Sequence, residues 1–194
     1  LLMKDLTKAN AKPVLIAPGF ESDFSVIDHY QGKVFVLTNY NAPNQQLMVF
    51  DPTKPQLENW QTLIPETENV LESASIIGGK LFLNYLQDAS HHLYAYDTNG
   101  KKLFEIELPT IGTVGISGNM DENEAFYTFT SYTFPPTIYR YDVAENKAEL
   151  FRKSEVSFNS DDYVSEQVFY TSKDGTKVPM SITYKKGMKR NGKN

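Results

Sequence analysis

Apolar residues in this chain come in short runs separated by turn residues. "KVFVLTN" (33–39), "KLFLNYL" (80–86) and "EAFYTFT" (124–130) are rich in β-branched and aromatic side chains, which suit a pleated, half-buried surface. None carries the i, i+3, i+4, i+7 apolar spacing of an amphipathic helix. The pattern predicts strands throughout, and the strands recur. Four segments end a run on aspartate: "LLMKD", "LMVFD", "LYAYD" and "IYRYD", closing at Asp5, Asp51, Asp97 and Asp142, spaced 46, 46 and 45 residues apart. Phe35, Phe82 and Phe126 hold matching places in the strands before the last three. A further strand follows each aspartate ("PVLIA", "WQTLIP", "LFEIELP", "AELFRK"), and another precedes each aromatic strand ("FSVID", "SASII", "GTVGISG").

Each period therefore holds four short strands, with turn chemistry at Gln31-Gly32, Gly78-Gly79, Asn99-Gly100 and Asp121-Glu122-Asn123. Four antiparallel strands in about 40–50 residues make one blade of a β-propeller. The reading is all-β: a partial propeller of about three and a half four-stranded blades. The first two strands form the outer half of a blade, and full blades follow over roughly 20–66, 68–110 and 112–154. Closed propellers use about four to eight blades, so the remaining ones are expected before Leu1. An aspartate that closes every unit is expected to cap the next turn by accepting backbone N–H bonds.

The repeat stops where a fifth aspartate would fall, near residue 188. In its place "QVFYTSKDGTKVPMSITYKK" (167–186) reads as a hairpin around Ser172-Lys173-Asp174-Gly175-Thr176, with Val168, Tyr170, Val178, Met180 and Ile182 on a half-buried face. The organisation predicted is 1–160, the C-terminal blades of a propeller, and 161–194, a junction and the first hairpin of a second domain.

Composition narrows the function classes. The 194 residues include 12 Tyr and 12 Phe, enough to fill a sizeable core, and carry a formal net charge of −5. That charge leaves no electrostatic footprint for nucleic acid. No run approaches the roughly 18 apolar residues of a membrane helix. Cysteine is absent, which excludes disulfides and thiolate metal sites. Cytoplasmic and periplasmic settings both remain open. The basic tail from Lys185 to Lys193 reads as a solvated linker.

The segment "SDDYVSEQVFYTSKDGTKVPMSITYKKG" resembles the junction of the prolyl oligopeptidase family of serine peptidases, where the propeller gives way to an α/β-hydrolase domain through such a hairpin. "TFTSYTFPPTIYRYD" and "NVLESASIIGGKLFLNYLQDASHHLYAYD" resemble the family's last blades, so the resemblance covers nearly the whole chain. It implies the first hairpin of an α/β-hydrolase domain at 161–194 and an intramolecular partner in that domain. It further implies short proline-containing peptides as substrates, cleavage after proline by a Ser-His-Asp triad, and no cofactor. The propeller would cap the active site and limit entry. Oligopeptidase B has a similar junction, and a stand-alone propeller-type binding module is the alternative from a different class. The family often carries a cysteine facing the active site at the fourth position of the strand matching "LLMKDL". Lys4 stands there instead and is the substrate-side candidate.

Catalytic groups are not found within the chain. A nucleophile elbow needs G-x-S-x-G, and Gly115-Ile116-Ser117-Gly118 has the wrong spacing, inside a predicted inner strand. His29 is placed just after an inner strand, and His91 and His92 in the connection before an aspartate strand. Consecutive strand residues point to opposite faces, so the adjacent histidines do not form a metal pair. Asp161-Asp162 and Asp121-Glu122 are placed in solvated loops. The cut edges of an open propeller predict that the isolated chain self-associates.

Overall fold

The computed structural model describes residues 1–189 and 191–193. Sixteen strands fall into five antiparallel sheets among the described residues. β1 (Leu2–Met3) pairs with β2 (Val14–Leu15). The first four-stranded sheet is β3 (Phe24–Tyr30), β4 (Lys33–Thr38), β5 (Gln46–Phe50) and β6 (Gln61–Ile64). The second is β7 (Val70–Ile77), β8 (Lys80–Gln87), β9 (Ser90–Tyr96) and β10 (Lys102–Ile106). The third is β11 (Thr113–Gly118), β12 (Glu124–Thr130), β13 (Thr137–Asp142) and β14 (Lys147–Lys153). A hairpin of β15 (Tyr163–Thr171) and β16 (Lys177–Lys185) ends the described fold. Neighbours in every sheet are consecutive in sequence, as propeller blades require. The first strands of adjacent sheets touch, β3 against β7 and β7 against β11.

Turn chemistry sets the register. Gln31-Gly32 and Gly78-Gly79 both lie at positive φ, and the flanking residues pair directly, Tyr30 with Lys33 and Ile77 with Lys80. This is the mirror-image two-residue turn that matches strand twist. Asp88-Ala89 makes the same kind of turn between β8 and β9 without a glycine. That turn corrects the placement of the histidines. Because it takes only two residues, β9 reaches back to Ser90 and includes His91 and His92. β3 likewise runs past His29 to Tyr30. The last hairpin is longer than its sequence pattern, since β15 starts at Tyr163. Its apolar face is only partly covered: Tyr170 and Met180 are exposed. Asp161 and Asp162 belong to a short 3-10 turn, Ser160–Asp162.

The recurring aspartates are turn caps. Asp5 Oδ1 accepts from Thr7 N at 2.9 Å and Thr7 Oγ1 at 2.6 Å, and Asp51 Oδ1 from Thr53 N at 2.8 Å and Thr53 Oγ1 at 2.7 Å. Asp97 accepts from Asn99 N and Lys101 N, and Asp142 from Ala144 N and Glu145 N, all at 2.9 Å. Asp174 caps the hairpin turn through Thr176 N at 3.0 Å. Bonds to the ionised form favour it. The Thr7 hydroxyl and Lys8 hold Asp5 down to about 2, and Thr53 and Thr176 lower Asp51 and Asp174. A lowered carboxyl contributes stability that is complete above its unfolded value near ~4 and is lost as pH falls through the folded one. Acid unfolding followed by circular dichroism is therefore expected to steepen below pH ~4. Replacing Asp5, Asp51 and Asp174 by Asn, which keeps an acceptor but cannot titrate, should flatten that limb.

Packing follows the strand period of two. Between the first and second sheets, Phe35, Leu37, Leu47, Val49 and Ile64 meet Leu71, Ile76, Leu81, Leu83 and Tyr85. Between the second and third, Ile77, Phe82, Leu93, Ala95 and Ile106 meet Val114, Ala125, Tyr127, Phe129, Tyr141 and Val143. The β1–β2 side of the first sheet buries Ile16, Ala17, Val36, Met48, Phe50 and Trp60.

The outward face of the third sheet repeats these positions with different chemistry. Where the first sheet presents Phe35, Leu37, Leu47, Val49 and Ile64, the third presents Phe126, Thr128, Ile138, Arg140 and Arg152, as the cross-strand register shows. Arg140 is clamped by Glu124 and Glu149. All seven residues of β14 are exposed, whereas β6 and β10 each end on a buried isoleucine.

Candidate functional site

A dense polar constellation lies where β9 of the second sheet meets β11 of the third. The alternation of β9 sends His91 and His92 to opposite faces. His92 Nδ1 meets Glu105 Oε1 on β10 at 2.9 Å. His91, its side chain only 14% exposed, meets Glu72 Oε2 on β7 through Nε2 at 2.9 Å. Its Nδ1 lies 3.0 Å from Asn84 Nδ2 and 3.1 Å from Val114 N. Asn84 Nδ2 also donates to Val114 O at 3.0 Å. Ser90 Oγ and His91 N both donate to Gly112 O, at 3.3 and 3.0 Å. Glycine is required at 112, because a Cβ there would lie 2.4 Å from Thr130 O.

This seam is also where the hairpin is held. The Gln167 side-chain amide on β15 donates to Asp88 O, and Ser165 Oγ lies 3.3 Å from Thr133 Oγ1. A cleft of about 380 Å³ results, lined among others by Asp88, His91, His92, Glu105, Ile111 and Gln167. The arrangement offers hydrogen bonding and proton exchange at a junction. Among the described residues no hydroxyl is hydrogen-bonded to an imidazole.

The sequence candidates do not converge. Lys4 is exposed just past β1 and lies outside that cleft. His29 is exposed on β3. Ser117 sits on β11, its hydroxyl 3.5 Å from Phe126 O, and the chain continues into β12 rather than a helix. The seam around His91 was missed in the sequence, since its partners lie 7, 19 and 23 residues away on three other strands. The one signal available was the paired histidines.

Four-stranded antiparallel blades, joined in series and followed by a hairpin of another kind, define the propeller part of a larger architecture. The family model described as "Prolyl oligopeptidase, N-terminal beta-propeller domain" matches residues 1–154. The chain belongs to the prolyl oligopeptidase family. It is 42% identical over 195 residues to a prolyl endopeptidase of Elizabethkingia meningoseptica, covering all of this chain and 27% of that protein. It is 39% identical over 179 residues to a prolyl oligopeptidase of Omphalotus olearius, covering 89% of this chain and 24% of that one. Among solved structures, one of the prolyl endopeptidases studied for the role of inter-domain dynamics in catalysis and specificity superposes with a TM-score of 0.85 at 38% identity, over 95% of this chain and 27% of that one. Apo prolyl oligopeptidase B from Galerina marginata gives 0.86 at 25% identity, over 97% and 28%. The chain thus spans about a quarter of the length of the relatives it matches.

Proposed function

We propose that this chain is the part of a prolyl-specific serine peptidase that covers the active site and restricts entry to short proline-containing peptides, while bond cleavage is carried by groups outside residues 1–194. The observation behind this reading is the break in the repeat: the family match ends at 154, and among the described residues β15 and β16 pair only with each other. The break supports a division into blades over 1–160 and a junction with the first peptidase-domain hairpin over 161–194. In this reading that domain is the intramolecular partner. Lys4 is the substrate-side residue in this scheme.

The test uses the full-length protein that contains this chain. A chromogenic Gly-Pro substrate is compared with an unfolded proline-containing polypeptide of more than fifty residues. A hundredfold or larger preference for the short substrate is expected. Equal kcat/KM would sink the gating role, and faster cleavage after Arg or Lys would assign an oligopeptidase B-like specificity. Lys4→Ala in the same assay should raise KM and leave kcat unchanged.

The isolated chain is further expected to self-associate. The outward face of the third sheet exposes Phe151 and leaves Phe126 half-buried against it, with ring centroids 5.0 Å apart, while Leu2, Val14 and Leu15 are exposed on β1 and β2 at the other end. Such faces invite a second copy. Light scattering should show a mass that rises with concentration, and a constant monomer mass would overturn this.

A further inference from the structure

The hydrogen bonds around His91 leave one atom undecided. Nε2 faces the Glu72 carboxylate at 2.9 Å, and an ionised carboxylate only accepts, so Nε2 carries a proton. Nδ1 lies 3.1 Å from Val114 N, a donor, and 2.9 Å from Val114 O, an acceptor. Asn84 Nδ2 is 3.0 Å from the same nitrogen, while Asn84 Oδ1 is buried and has no hydrogen-bond partner among the described residues. With Nδ1 bare, the ring accepts from Val114 N–H and from Asn84. With Nδ1 protonated, it donates to Val114 O, and a turned-over Asn84 amide brings Oδ1 to the ring.

We propose that His91 is a proton switch in the seam between the second and third sheets, exchanging one set of bonds to Val114 and Asn84 for another. Glu72 on β7 supplies the balancing charge. Glu105 on β10 is engaged by His92, and Asp88 at the β8–β9 turn borders the same cleft. The elements that touch Nδ1 itself, β8 and β11, present it with the neutral groups of Asn84 and Val114. The step moves a single proton from solvent to Nδ1 and alters no covalent bond in the backbone. Its structural result, on β11, is a Val114 N–H without its imidazole acceptor and a Val114 O that accepts from the ring instead of from Asn84 Nδ2.

The experiment is ¹⁵N NMR of the full chain between pH 8 and pH 5, the interval over which an ordinary histidine changes charge. At pH 8 the His91 ring should show protonated Nε2 and bare Nδ1. As Nδ1 gains its proton, hydrogen-exchange protection of the Val114 amide should fall about tenfold after correction for intrinsic rates, and the Asn84 side-chain resonances should shift with the same midpoint. His91→Gln, which can still accept from Val114 N–H but does not titrate, should abolish both responses. Three results would each overturn the switch: Nδ1 already protonated at pH 8, no second protonation down to pH 5, or His91 titration with Val114 protection and Asn84 shifts unchanged.

Discussion

Incubated alone with a chromogenic Gly-Pro substrate, the 194-residue chain is expected to release product no faster than buffer. Acyl transfer by a serine peptidase needs a hydroxyl, an imidazole and a carboxylate in one hydrogen-bonded chain. Here the imidazoles of His91 and His92 are bonded to Glu72, Asn84, Val114 and Glu105, and His29 is exposed on β3. Ser117 leans on a backbone carbonyl. Enzymes of this kind accelerate their reactions by at least about a millionfold, so the two outcomes are separated far beyond assay noise. Turnover that is abolished by changing a residue within 1–194 would place the chemistry inside the chain and overturn the capping role.

Phe82→Ala should be the most damaging substitution of the repeat. Phe82 is 1% exposed and meets Tyr141 edge-on across the seam, ring centroids 6.0 Å apart. Emptying such a site costs ~3–5 kcal/mol. For a chain of this size each kcal/mol moves the midpoint by about 2–4 °C, so Tm should fall by roughly 6–20 °C. Phe126 holds the same place in the next repeat but lies on the open outward face, only half-buried, so Phe126→Ala should cost about 1 kcal/mol or less. Thermal melts of the two variants, at a concentration where the chain is monomeric, make the comparison. Equal losses would mean that the outward face is as well packed as the seam.

The repeat was legible because each of its features has a local cause. The aspartates cap turns through bonds to residues two to four positions on, and the Gly-Gly and Gln-Gly pairs fix two-residue turns. Alternation within each strand then decides which residues face which neighbour. The boundaries at β4, β8 and β12 were readable to within a residue for the same reason. What stayed hidden was non-local. His91 looked like a connector residue because nothing in its neighbourhood announces that Asp88-Ala89 turns without glycine. Its bonds to Glu72 and Val114 exist only once three strands and the next sheet are in place. The polar outward face of the third sheet was visible as letters, but its meaning depended on knowing that Arg140 sits where Val49 and Ala95 are buried. Lys4 entered through resemblance alone, and the described residues around it add no partner to it.

The consecutive order of strands in every sheet has a consequence for how the chain is made. A ribosome adds about 5–20 residues per second, so one repeat of 46 residues takes roughly 2–9 seconds to emerge. Hairpins close in about 1–10 microseconds. Each sheet can therefore pair completely before the next one exists, and no strand waits for a partner encoded far downstream. The slow event is the stacking of one finished sheet on the previous one, so the apolar seams close in the direction of synthesis.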